Sequence, residues 1–225
     1  MLKKIIIAID GPAGSGKSTA AKNIAQKLGF TYLDTGAMYR AITFIALRNG
    51  IAEDVPAVIE MARKINLKLR FENGVTRVFV DDEEVTEQIR SAEVNAKVSD
   101  ISRIPEVRAE LVKIQKKLGS EGNIVAEGRD VTTVVFPNAD LKIFLTASID
   151  VRTKRRLREF QEKNFQITFD EVKENLEKRD KIDSGREVSP LRKAEDAIEF
   201  DNSALTPRQD LDYLLEKIKD VFNKN

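Results

Sequence analysis

The residues with the clearest chemical capacity are Gly11, Pro12, Ala13, Gly14, Ser15, Gly16, Lys17, Ser18 and Thr19, which read "GPAGSGKST". Gly11 to Ser18 match the pattern G-x-x-x-x-G-K-[ST] between an apolar run, "IIIAID", and a helically spaced segment, "AAKNIAQKLG". Glycines let a backbone curl until successive N–H groups point inward, and a helix N-terminus adds about half a positive charge on the same spot. Lys17 then reaches the β- and γ-phosphates of a nucleoside triphosphate, and the Ser18 hydroxyl is placed to ligate Mg2+. The bland alternative is a glycine-rich turn with a solvated lysine, which a full match in this context disfavours.

A phosphate cradle serves switches, motors and kinases alike, so the remaining chemistry-bearing residues have to decide. Neither Asn-Lys-x-Asp nor Asp-x-x-Gly occurs in the chain, which argues against a guanine-nucleotide switch, and no apolar strand ends in Asp-Glu as a motor ATPase usually requires. A kinase needs a second anion site facing the first, with fixed cations to neutralise two phosphorylated substrates. Arginines supply the material for it. Arg152, Arg155 and Arg156 fall at i, i+3, i+4 on one helical face, and Arg179, Asp183 and Arg186 at i, i+4, i+7, so each group could clamp a phosphate. For the first group the alternative is a solvated helix face, and for the second an intrahelical salt bridge between Arg179 and Asp183. Arg40 follows a strand end in "DTGAMYR", and Arg129 sits in "EGRD" directly after 123–127, where α/β sheets place their ligands.

Composition narrows the chemistry further. With 38 basic and 37 acidic residues the net charge is +1, which gives no uniformly basic face and no reason to expect a nucleic-acid partner. Cysteine and histidine are absent, so disulfides, thiolate nucleophiles, zinc sites and His-based triads are excluded. The N-terminal apolar run is about half a dozen residues, too short for a signal segment or a membrane span, and the expectation is a cytoplasmic, soluble protein with no membrane partner.

These residues must be held by a sheet. The repeated Ile of 5–9 reads as a buried parallel strand, and Ala21, Ile24, Ala25 and Leu28 mark a helix stopped by Gly29. The stretch 30–40 predicts a short strand ending at Asp34 and then a helix that Gly50 closes. Buried strands are expected at 123–127, 141–147 and 197–202, and a last helix starts from a capping box of Thr206 and Gln209 around Pro207. Alternating strands and helices predict a parallel three-layer α/β sheet. An antiparallel hairpin or meander over 67–85, turning at Asn73-Gly74 and again at Asp81-Asp82, interrupts this rhythm as an insertion. Helices follow it, one on Val94, Val98 and Ile101 and one opened by Pro105 with Val107, Leu111, Ile114 and Leu118 on a stripe. At 225 residues, one domain with an insertion is the expected size class.

The segments "GPAGSGKST", "YLDTGAMYR", "IPEVR", "EGRDVTTVVFPNADLKIFL" and "RDKIDSGREVSPL", in this order around an inserted hairpin, resemble the bacterial cytidylate kinases, ATP-dependent nucleoside monophosphate kinases, over essentially the whole chain. The resemblance implies a single domain over 1–225: a P-loop kinase core at about 1–65 and 104–225, an acceptor-binding insertion at about 66–103 and a short helical lid at about 150–165. It implies phosphorylation of CMP, and of dCMP with it, to CDP and dCDP in pyrimidine nucleotide metabolism, by a monomer using ATP with Mg2+. Carried onto matching positions, Thr35, Tyr39 and Arg40 would line the monophosphate pocket and Arg129 and Arg179 would hold its phosphate. Ser99, Arg108 and Asp130 would read cytosine, Asp183 and Arg186 would face the sugar, and Arg155 and Arg156 would close on ATP. Two positions depart from the family's pattern: Thr132 stands where Gly is common and Glu127 where Asp is common. A carboxylate with an Arg or hydroxyl donor complements the N4 donor and the N3 and O2 acceptors of cytosine. An ion pair with Arg129 is the structural alternative for Asp130. Other readings of the chain are a kinase for UMP or another small acceptor, and a P-loop ATPase or binding module.

Overall fold

The computed structural model describes residues 4–72, 74–162 and 165–222. Asn73, expected in the hairpin turn, and residues 163–164 of the expected lid lie outside the described residues. The first half alternates as expected: β1 (Ile6–Asp10), α1 (Lys17–Leu28), β2 (Thr31–Asp34), α2 (Thr35–Arg48) and α3 (Val55–Lys64). The insertion contributes β3 (Leu67–Glu72), β4 (Val75–Val80), β5 (Glu83–Glu84), a 3-10 turn at Gln88–Arg90 and α4 (Ala92–Ile101). Next come α5 (Pro105–Ser120), β6 (Ile124–Gly128), a π-helical turn at Val131–Val135, β7 (Leu141–Thr146), α6 (Ile149–Glu162), α7 (Phe169–Ser184), β8 (Ile198–Asp201) and α8 (Pro207–Phe222).

Five strands form one parallel sheet in the order β2-β6-β1-β7-β8, and β3-β4-β5 form a small antiparallel sheet of their own. β1 reads as an unbroken apolar run because both of its faces are covered: Ile7 and Ile9 on one face and Ala8 on the other have no exposure, and each buried Ile side chain contributes about 1.5 to 3 kcal/mol. One core packs α2 and α5 beneath the sheet, through Met38, Ile42 and Leu111, and a second packs α1 and α8 on the other face, through Ile24, Leu214 and Ile218. A third, small cluster joins Ala13 of the glycine-rich loop to Val172 and Leu176 of α7.

The punctuation follows local chemistry. Gly29 closes α1 at φ 67° and Gly50 follows α2 at φ 68°, both in the left-handed region that favours glycine. The second hairpin turn has φ 48° at Asp81 and 71° at Asp82, a turn with two positive φ values that Asp tolerates. Thr206 and Gln209 form the expected capping box ahead of α8. The helix α3 has no counterpart among the expected elements; Asp54 caps it by accepting from Ala57 N, with Pro56 in its first turn. Among the described residues no helix is long and apolar enough to cross a membrane.

Candidate active site

β1 and β6 are parallel neighbours with Asp10 opposite Gly128. The glycine-rich loop and the Arg129-Asp130 pair therefore leave the sheet side by side at its carboxyl end, where open α/β sheets bind ligands. Gly11 allows β1 to enter the loop beneath β7, since a Cβ there would lie 2.0 Å from the Leu145 carbonyl oxygen. Gly14 at φ 74° and Gly16 at φ 91° then complete the curl, and Gly16 stands at the N-terminus of α1.

Lys17 is buried at the base of this cradle, where its Nζ donates to Pro12 O at 3.0 Å. Burial, and then the neighbouring Arg129, push its pKa down to about 7, against the opposing pull of Glu127 and Asp183. The Ser18 hydroxyl donates to Glu127 Oε1 at 2.7 Å, and the Tyr32 hydroxyl donates to the same oxygen at 3.2 Å. A hydroxyl beside a carboxylate is an oxygen-only donor set that suits Mg2+, which takes one or two protein ligands and fills its shell with phosphate and water. Among the described residues no group of three or more carboxylate, Cys or His side chains is placed to hold a metal ion. Glu127, one methylene longer than an Asp would be at this position, reaches Ser18.

The second cationic group faces the first across a cleft of about 880 Å³ that Lys17, Arg40, Arg129, Arg179 and Arg186 line. Asp183 organises it. Arg129 Nε donates to Asp183 Oδ2 at 2.8 Å, and Arg186 donates to Oδ1. Burial would raise the Asp183 carboxyl, but Arg129 and Arg186 outweigh it and hold it below the usual carboxylate range. Asp183 is thus saturated by arginines other than Arg179, and the intrahelical Arg179–Asp183 bridge does not form. Among the described residues neither Arg179 nor Arg40 has an ion-pair partner, and Arg179 Nε is shielded from water without a hydrogen bond. Burial, followed by Arg129 and Arg40, lowers Arg179 to about 10. Uncompensated guanidiniums in a recess call for an anion.

Beside this basin lies a buried pair. Arg108 donates to Asp130, both side chains 5% exposed or less, and also to Ser102 O at 2.9 Å, while its guanidinium stands 5.1 Å over the Tyr39 ring. Asp130 pairs with Arg108 and not with its chain neighbour Arg129, whose side chain turns to Asp183. Ser99 lines the same recess, and its carbonyl accepts from the Ser102 hydroxyl at 3.0 Å. The Thr35 hydroxyl donates to Glu127 O at 2.7 Å, so this wall residue is held by the β6 backbone. Thr132 has no positive φ and so needs none of glycine's freedom; its hydroxyl donates to Asp10 Oδ2 at 2.6 Å.

The arginines of α6 do not act as one face. Arg152 is buried and donates to Asp180 Oδ2 at 2.6 Å, to Ala13 O at 3.1 Å and to Ala147 O at 2.9 Å, so it fastens α6 to α7 and the glycine-rich loop and has no cation left for a phosphate clamp. Arg155 donates to Ser15 O at 3.2 Å and to Asn202 Oδ1 at 2.9 Å, which sets it at the rim of the cradle. Arg156 pairs with Glu159 at 2.6 Å and lies over the Phe160 ring.

Sequence patterns did not single out Ser102, Asp10, Asn202 or Arg90. Ser102 accepts from Arg186 at 3.1 Å while its carbonyl receives Arg108, a junction created by the approach of α4 to α7. Arg90, an arginine lining the cleft from the insertion, had only its charge as a signal.

Comparison with known proteins gives a family for the chain. A family model described as cytidylate kinase matches residues 7–220. The chain is 50% identical over 220 residues to a cytidylate kinase of Caldanaerobacter subterraneus subsp. tengcongensis, covering 97% of this chain and 95% of that protein. It is 46% identical over 225 residues to a cytidylate kinase of Streptococcus thermophilus, covering 99% of this chain and 100% of that protein. An uncharacterised protein from Eubacterium ventriosum of known structure shares the fold at a TM-score of 0.54 and 14% identity, covering 97% of this chain and 99% of that one.

Proposed function

The chain belongs to the cytidylate kinase family, and from that premise we propose that it transfers the γ-phosphoryl group of ATP to CMP, giving ADP and CDP, with dCMP as a second acceptor. The cradle of residues 11–19 and Lys17 hold the donor's phosphates, and Arg155 and Arg156 close over them from α6. Arg40, Arg129 and Arg179 receive the acceptor phosphate, with Thr35 and Tyr39 as walls of its pocket. Ser99, Arg108 and Asp130 meet the cytosine edge, and Asp183 and Arg186 face the sugar. The insertion at about 66–103 serves as the acceptor arm and residues 150–165 as the lid over the donor. Mg2+, when bound with ATP, supplies further neutralisation of the phosphates, and Ser18 and Glu127 are the residues that would hold it.

In the transfer, a phosphate oxygen of CMP forms the new P–O bond as the bond from the γ-phosphorus to the bridging oxygen of ADP breaks, and ADP leaves with that electron pair. The acceptor oxygen is already ionised near neutral pH, so no protein base is needed, which suits a chain without histidine. Positioning and charge remain as the protein's task. Arg129 contributes to both sides: it lies close enough to depress Lys17 and is held in place by Asp183.

The observation that carries the proposal is that, among the described residues, Arg40 and Arg179 have no ion-pair partner in the cleft that Lys17 also lines, while Asp183 is occupied by Arg129 and Arg186. The test is coupled ADP release from ATP with CMP, dCMP, UMP and AMP in turn. Release dependent on CMP and dCMP is expected; release independent of any acceptor would mean an ATPase, and release with UMP in preference to CMP a different kinase.

A further inference from the structure

We infer that Asp10 is a positioning residue for the acceptor base, an inference that rests on the cytidylate kinase proposal above: its carboxylate clamps the backbone at Val131 and Thr132 and thereby fixes Asp130 against cytosine. Asp10 is the last residue of β1, has no solvent exposure and immediately precedes Gly11. Three donors converge on it. Val131 N reaches Oδ1 at 2.9 Å, and Thr132 N and Thr132 Oγ1 reach Oδ2 at 2.7 and 2.6 Å. All three come from the two residues that follow Asp130, and none from the glycine-rich loop.

The receiving segment needs such an anchor. Beyond β6 the chain leaves the sheet at Gly128, and Asp130 adopts φ −141°, ψ 20° before an irregular π-helical turn begins. Within that turn Val134 N, at 2.8 Å, Val135 N, at 3.3 Å, and the Thr133 hydroxyl, at 3.4 Å, all return to the single carbonyl oxygen of Asp130. A regular helix would fix Asp130 through its own ladder; here the fixed point is a side chain on the neighbouring strand. Charge-assisted bonds from two backbone amides are the strong kind, and they lock position more tightly than a neutral side chain would. Burial, with a smaller push from the Asp130 charge, raises the Asp10 pKa to about 6, and the hydrogen bonds from Thr132 and Val131 pull against that rise. The placement at the root of the cradle makes one residue common to the frames of both substrates, yet its bonds serve only the acceptor side.

The test uses the full chain with the variants Asp10→Asn and Thr132→Val. Asp10→Asn turns one acceptor oxygen into an N–H2 group facing the Thr132 N–H, and Thr132→Val removes the hydroxyl donor while keeping the volume. Steady-state kinetics with CMP and UMP, the ATP KM and a thermal unfolding curve are recorded for each. In Asp10→Asn the CMP KM should rise about tenfold or more, and the preference for CMP over UMP should shrink, with the ATP KM within about twofold of the wild type. Thr132→Val should shift CMP KM and preference in the same direction by a smaller factor, and it decides the matter if Asp10→Asn does not fold. A folded pair of variants with wild-type CMP KM and preference, or with ATP and CMP KM raised in parallel, would overturn the positioning role. A wild type with no CMP-dependent turnover would overturn the functional proposal itself, and is read from the control alone.

Discussion

Arg129 and Asp183, 54 positions apart in the chain, are joined by a 2.8 Å hydrogen bond from Nε to Oδ2. Because Arg186 takes the other carboxylate oxygen, the pair leaves Arg179, one turn earlier on α7, without an ion-pair partner among the described residues and lining the cleft. Asp183 also supports the ionised form of Lys17, so its effect crosses from the acceptor side to the donor side. Asp183→Asn should therefore weaken CMP binding and push the Lys17 pKa lower. CMP KM and the pH midpoint of ATP binding, measured on the same variant, should both move; a change in only the first would confine Asp183 to the acceptor.

Lys17 itself provides the pH dependence. Its pKa is lowered to about 7, so the ammonium is progressively lost in the free protein as pH rises above that value, whereas the triphosphate needs it charged. ATP binding should take up a proton at pH 8, and its affinity should fall by up to about 1.4 kcal/mol per pH unit above the midpoint. Calorimetry in buffers of different ionisation enthalpy reads this uptake directly. Lys17→Arg, which stays charged, should abolish the uptake. Lys17→Ala should lower kcat by about 10² to 10³-fold and leave CMP affinity intact.

Arg40 and Arg179 are assigned to the acceptor phosphate, which CMP and UMP share. Arg40→Ala and Arg179→Ala should each raise the KM for both nucleotides by about 10 to 100-fold, the scale of one charged hydrogen bond, without changing their ratio. ATP affinity should hold. A loss confined to ATP would exchange the two subsites.

The arginines of α6 should separate in a way their spacing does not suggest. Arg152→Ala removes the bonds to Asp180 and Ala13 and should cost about 1.5 to 3 kcal/mol of stability, seen as a lower Tm. Arg156→Ala gives up a partly exposed pair with Glu159 and its stacking over the Phe160 ring, each worth up to about 1 kcal/mol at such a site, but should lower kcat by about 10²-fold. Equal Tm losses in the two variants would contradict this division.

What the sequence could announce was local. The strand, glycine-rich turn and helix of residues 6–28 carry their signals in consecutive positions, and so do the hairpin turn at Asp81-Asp82 and the Thr206 capping box. The partners of the charged residues were less legible, because i, i+3 and i, i+4 spacing lists who can meet on a helix but not who is recruited from elsewhere. Arg179 and Asp183 fit the spacing, yet Asp183 turned to Arg129 across the cleft. Arg152, Arg155 and Arg156 fit one face, yet Arg152 was drawn under α7 by Asp180. Ser102 and Asp10 had no motif, and only the approach of α4 to α7 and of β1 to the 131–135 turn gives them their contacts. The helix α3 was legible in the sequence, through Asp54 ahead of Val55-Pro56 and a stripe that buries Val58 and Ala62, and went unread because it spans only 10 residues.

The most direct test lies at Asp130, which pairs with Arg108 and is proposed to meet the cytosine edge. Asp130→Asn replaces an acceptor-only group by one that can donate to uracil O4, and it leaves the Arg108 charge less compensated, so some loss of stability accompanies it. The measurement is kcat/KM for CMP and for UMP in the wild type and in Asp130→Asn, with the ATP KM and the unfolding temperature as controls. The wild type should prefer CMP, and the preference should narrow in the variant by about 1 to 3 kcal/mol, the scale of one buried polar mismatch. An unchanged CMP to UMP ratio in a folded Asp130→Asn protein with a normal ATP KM would contradict the account and leave Asp130 as a structural partner of Arg108.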